Sequence, residues 1–163
     1  MNRLVSSLSA ALLCFSIAAC TSPAANTVDP DVNKDPTGLA IGGFDPVAYF
    51  DGAARHGSAR HEAVYRGATY RFASVRNQDR FERDPAAYLP EFGGYCAFGV
   101  AAKQAKVPAN PETFRIQDGR LLLFFNGPFK GQTVDTSKMW DEDPVGMLHD
   151  ADAHWPALRS MKP

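Results

Sequence analysis

The sequence predicts an α+β domain: small antiparallel β-hairpins packed with short helices. Three observations predict it. Phe114-Arg115-Ile116-Gln117 and Arg120 to Phe125 flank Asp118-Gly119, a pair that favours the positive φ angles of a two-residue hairpin turn. Ala63-Val64-Tyr65 and Thr69-Tyr70-Arg71-Phe72-Ala73 flank a tight Arg66-Gly67-Ala68 connection in the same way. Between and after these hairpins lie helical stretches closed by Asp-Pro pairs, at Asp84-Pro85 and Asp143-Pro144.

The chain has 163 residues, enough for one domain with a real core. Its first residues read as an export signal. Arg3 supplies a positive start, Leu4 to Ile17 is mostly apolar, and Ala18-Ala19 places small residues before Cys20. The apolar run is too short to span a bilayer. The ending resembles a bacterial lipobox, so residues 1–19 are expected to be removed and Cys20 to carry lipid; plain cleavage with Cys20 left free is the other reading. Thr21, not Asp, follows Cys20, which by resemblance to the usual sorting pattern favours the outer membrane of a Gram-negative cell. The expected location is the periplasm, with the membrane as partner through the lipid. Residues 20–35 are rich in Ser, Pro, Ala, Asn and Asp and read as a flexible tether to a domain over 36–160.

Within the domain, Gly42-Gly43 and Asp45-Pro46 signal turns, and Val47-Ala48-Tyr49-Phe50 is a short apolar run ended by Asp51-Gly52. In the first hairpin Tyr70 and Phe72 share a face by the period-two rule, with Arg71 opposite. Ser74 is a helix cap, since its hydroxyl can accept from free amides of the first turn. The helix it starts runs to Asp84, with Val75, Gln78, Phe81 and Glu82 on one side and Phe81 as the core contact. Ala86 to Leu89 reads as a further short helix, and the Ala-rich stretch from Gly99 to Lys106 as one or two helical turns. Leu121-Leu122-Leu123-Phe124-Phe125 is apolar without alternation, so that strand should be covered on both faces. Asn126-Gly127-Pro128 closes it, and the tail from about Asp135 is helical, broken at Asp143-Pro144 and ended near Pro156, with Val145, Leu148, Ala151 and Trp155 at helical spacing.

Chemistry concentrates at Gly93-Gly94-Tyr95-Cys96-Ala97-Phe98-Gly99. The chain has three cysteines; loss of the signal removes Cys14 and lipid occupies Cys20, which leaves Cys96 unpaired in an oxidising compartment. Glycines allow a sharp turn that could present the thiol, yet a lone Cys is also among the most often buried residue types. His56 and His61, in a polar loop, are the candidate metal co-ligands, with simple solvent exposure as the other reading. Asp45 reads as a cap for local amides, Met139 and Met147 as core, and Tyr49, Tyr70, Tyr95 and Phe98 as packing near the thiol. No clustered Lys/Arg footprint points to nucleic acid. No CxxC, HExxH, phosphate loop or nucleophile elbow is present.

Several stretches together resemble the YHS domain family: FDPVAYF at 44–50, YRGATYRFAS at 65–74, RFERDPAAYLP at 80–90 and GGYCAFGVA at 93–101, continuing through DGRLLLFFN at 118–126 to ADAHWP at 151–156. The likeness is to the small exported bacterial members and covers nearly all of the domain. It implies a YHS-like fold and, through the related TRASH domains, soft-metal handling through cysteines, because thiolates select Cu(I) and Zn(II). The ligand pattern departs from the family at two places. Ala48 stands where the metal-associated form has a Cys after the DPV element, and Phe72-Ala73-Ser74-Val75-Arg76-Asn77 replaces its Phe-Cys-Ser-x-x-Cys run. Related exported members can carry selenocysteine in the Gly-Tyr-Cys segment, which implies a reactive or metal-binding chalcogen at Cys96.

Three readings follow: Cu(I) or another soft metal bound at Cys96; a scaffold that holds a partner or small ligand with Cys96 buried; and a thiol-redox protein using Cys96. The first is the leading expectation, and binding is expected rather than catalysis.

Overall fold

The computed structural model describes residues 31–161. The export signal, Cys20 and the first part of the expected tether lie outside the described residues.

The architecture is α+β. Strands β1 (Ser58–Tyr65) and β2 (Ala68–Phe72) form the first antiparallel hairpin, followed by helix α1 (Val75–Arg83). Helix α2 (Ala97–Lys103) precedes the second hairpin, β3 (Asn110–Gln117) and β4 (Arg120–Phe124). A third hairpin, β5 (Asn126–Phe129) and β6 (Gln132–Asp135), leads into α3 (Thr136–Trp140) and α4 (Pro144–Arg159). Each hairpin turns through a residue-Gly pair with both φ angles positive: Arg66-Gly67 at 50° and 75°, Asp118-Gly119 at 52° and 74°, Lys130-Gly131 at 49° and 81°. Those values suit the turn whose twist matches paired strands.

Ser74 caps α1 as expected, and the break at Asp143-Pro144 proves to be a cap as well. The Ser74 hydroxyl accepts from the Asn77 amide at 3.2 Å. Asp143 accepts from the Gly146 amide at 2.9 Å, with Pro144 in the first turn of α4. Phe81 is the buried residue of α1, but Val75 is 58% exposed, so the apolar side of that helix is narrower than the sequence predicts. The Ala86-to-Leu89 expectation resolves into a 3₁₀ turn over Pro85–Ala87. Helix α4 passes through Pro156 and ends at Arg159. Proline removes one donor there, but burial of Leu158 and the ion pair of Arg159 with Asp31 at 3.3 Å hold the last turn.

Strand β4 divides the interior. Leu121 and Leu123 pack into one core with Ile41, Phe44, Val47, Tyr49, Tyr70, Phe72 and Phe81. Leu122 and Phe124 pack into a second core with Phe92, Ala97, Val100, Trp140, Leu148 and Ala151. Side chains alternate across a strand, so an apolar run without alternation serves two cores at once. Trp140 crosses Phe124 edge-to-face at 5.4 Å and donates its indole N–H to Gln117 Oε1 at 2.9 Å.

Residues 31–35, assigned from sequence to the tether, pack on the domain. The Asn33 amide donates to the Gly93 carbonyl at 2.8 Å and its side chain to the Gly94 carbonyl at 3.1 Å. Asp31 is buried and pairs with Lys106 Nζ at 2.9 Å; the Lys106 side chain is 3% exposed. Lys106 also donates to the Arg159 and Met161 carbonyls and lies over the Tyr95 and Trp155 rings. Gly93, at φ +63°, has no room for a side chain, since a Cβ would stand 2.0 Å from the Asp31 carbonyl oxygen.

Candidate functional site: a groove floored by Cys96

Cys96 is placed by three elements. Its amide donates to the Val107 carbonyl at 2.8 Å, its backbone bridges Leu123 of β4, and it caps α2. As cap, its sulfur accepts from the Gly99 amide at 3.3 Å. The sulfur also lies 3.3 Å from Thr136 Oγ1. Thr136 Oγ1 donates its only proton to the Phe125 carbonyl at 3.0 Å, so the thiol is the donor to Thr136. The residue is 1% exposed. Gly99 leaves room for the Val107 side chain, because a Cβ there would meet Val107 Cγ2 at 2.9 Å.

Above the sulfur lies an open groove of about 360 Å³. One wall is α2 and the segment after it, through Phe98, Gly99, Lys103 and Val107; the other is the β5–β6 hairpin and α3, through Phe129, Gln132, Val134, Thr136 and Met139, with Phe125 between. Most of these side chains are apolar. Phe129 is 53% and Met139 39% exposed, so apolar side chains reach the rim.

Of the candidate metal and pocket residues named from sequence, Cys96 and Phe98 line this groove. Tyr49 and Tyr70 do not pack near the thiol as expected: both belong to the other core, across β4, where Tyr70 meets Phe81 at 5.1 Å. The Tyr49 hydroxyl donates to the Pro111 carbonyl at 2.8 Å. Burial, then the charges of Asp45 and Glu112, push its pKa up from 10.0. Tyr95 faces Trp155, at 6.4 Å between rings, and burial and Asp31 raise its pKa. Asp45 is fully buried and satisfied as a structural cap: it accepts from the amides of Val47 at 2.8 Å, Ala48 at 3.3 Å and Ala73 at 2.8 Å, and from the Asn77 side chain at 2.6 Å.

His56 stacks on Phe44 with ring centroids 4.0 Å apart, and His61 lies in β1; neither lines the groove. Among the described residues no three His, Cys, Asp or Glu side chains form a group that could hold a metal. Met139, read from sequence as core, is instead a second sulfur side chain on the groove. Thr136, Phe129, Val134 and Lys103 were not singled out. The signal for most of them was a short β pattern on either side of Lys130-Gly131, obscured by Pro128, a residue that sheets accept at their edges.

Comparison with protein-family models, with curated proteins and with solved structures returned no match for this chain.

Proposed function

We propose that this chain is an exported, lipid-anchored binding module of YHS type whose groove over Cys96 takes an apolar small molecule. The observation that carries the reading is the groove itself: about 360 Å³, walled mainly by aromatic and aliphatic side chains, with a buried thiol as its floor. That volume falls at the lower end of the roughly 300–1,000 Å³ common for small-molecule sites. The export and anchoring parts rest on the N-terminal sequence, and the family on the sequence blocks quoted above.

The test is titration with the neutral fluorophore prodan. Binding shifts its emission to the blue, and Val134→Trp, which fills the groove with an indole, abolishes the shift. A wild-type chain that leaves prodan emission unchanged sinks the reading.

A second reading, soft-metal binding, is favoured by one observation: Cys96 and Met139 line the same groove. A thiolate and a thioether are soft donors suited to Cu(I), which accepts low coordination numbers. The donors at hand do not make a four-ligand zinc site. Anaerobic Cu(I) titration against a competing chelator is then expected to show one equivalent bound, lost in Cys96→Ser and weakened in Met139→Leu. No competition by the wild type removes a tight mononuclear site.

A further inference from the structure

We propose that the groove's ligand is a free fatty acid, with its tail over Cys96 and its carboxylate held at the rim by Lys103 and Lys130; this rests on the apolar-groove reading above. Among the described residues the lining carries one charged side chain, Lys103, and no acid. Lys103 stands in the last turn of α2 and is exposed. Its four-carbon stem can cover apolar wall while its ammonium stays at the mouth. Lys130, at the tip of the β5–β6 hairpin, is not itself on the lining but holds its ammonium 5.4 Å from the centre of the ring of Phe129, which is. The one amide on the lining, Gln132, is also on this hairpin and exposed, so it adds a neutral donor to the same rim.

Neither lysine side chain makes a hydrogen bond or ion pair among the described residues, whereas Arg80, Arg115 and Arg120 are all held by carboxylates. An apolar trough whose charged donor stands at its mouth is complementary to a molecule with an apolar body and an anionic end. A carboxylate can accept from two donors at once, so one bound at the mouth can take Lys103 and a second lysine whose long stem reaches it. Neutral apolar molecules would fill the trough but leave the lysines without an anion.

The experiment compares laurate with dodecan-1-ol, which has the same chain length and no charge. Both are titrated, by displacement of prodan, into the full chain carrying Cys20→Ser so that no lipid is attached. The expected result is laurate binding at least about tenfold tighter than the alcohol, in line with a charge-assisted pair. In the Lys103→Met, Lys130→Met double variant laurate falls to within about twofold of the alcohol, the cost of losing that pair. Equal affinities in the wild type, or a laurate preference kept by the double variant, overturn the fatty-acid proposal and leave the apolar groove standing. A chain that leaves prodan emission unchanged removes the groove reading and the proposal together.

Discussion

Cys96 is a capping residue before it is anything else. Its sulfur takes the Gly99 amide and gives its proton toward Thr136, and its surroundings leave 1% of it exposed. A thiol so placed reacts through opening of the fold. Ellman reagent is therefore expected to label the native chain far more slowly than the denatured one; equal rates would show the sulfur to be open to solvent. Tyr49 sets a different dependence. Its pKa is raised in the folded chain, so the stability tied to its neutral hydroxyl is complete below the unfolded value of 10.0 and is lost as pH climbs past it toward the folded value. Tyr49→Phe should cost about 1 kcal/mol near neutrality, from the lost hydrogen bond, and flatten the decline of stability above pH about 10 in urea unfolding. An unchanged alkaline slope would place the titration elsewhere, with Tyr95, also raised by burial, as the next residue to replace.

At the scale of elements, β4 distinguishes this fold from a sheet with one wet face. Leu122 and Leu123 point into different cores and are 0% and 1% exposed. Leu122→Ala and Leu123→Ala should each cost about 2–5 kcal/mol in urea unfolding, since each leaves a cavity in a packed layer. A near-neutral effect at either position would mean that its core is able to collapse around the gap. The strand's double burial was legible because five apolar residues in a row admit no polar face. The first two hairpins were legible because Arg66-Gly67 and Asp118-Gly119 sit between clear β-formers. The third was not, because Pro128 and Asn126-Gly127 read as a chain break, and proline at a sheet edge looks the same in sequence as proline in a loop. Missing that hairpin hid one wall of the groove. Cys96 stood out in the sequence as an unpaired thiol among glycines, but nothing in that segment showed the groove above it. The placing of Tyr49 and Tyr70 beside it failed for a simple reason: period-two patterns say which residues share a face, not which core the face meets.

At the scale of the molecule, the first described residues are fastened to the last. Asp31 lies in ion-pair contact with Lys106 and Arg159. The Lys106 side chain is almost wholly buried, and its desolvation is offset only while its partners remain. Asp31→Asn should lower stability by about 3 kcal/mol, and the Asp31→Asn, Lys106→Met pair should cost less than the sum of the two single changes. Strict additivity in such a cycle would show that the two side chains do not depend on each other. Sequence pattern gave no hint of this contact, because it joins residues 75 positions apart through a segment with the composition of a linker.

That contact also bears on where the chain could be cut and rejoined. Asp31 and Arg159 touch, so a short peptide can link the two ends of the described domain without crossing its surface. New ends opened between Lys130 and Gly131 would fall in an exposed turn whose hairpin lies outside both cores. Such a circular permutant is expected to keep its cooperative urea transition while its prodan affinity drops, because one bank of the trough loses its covalent tip. Loss of the transition would instead make the third hairpin part of what folds the molecule.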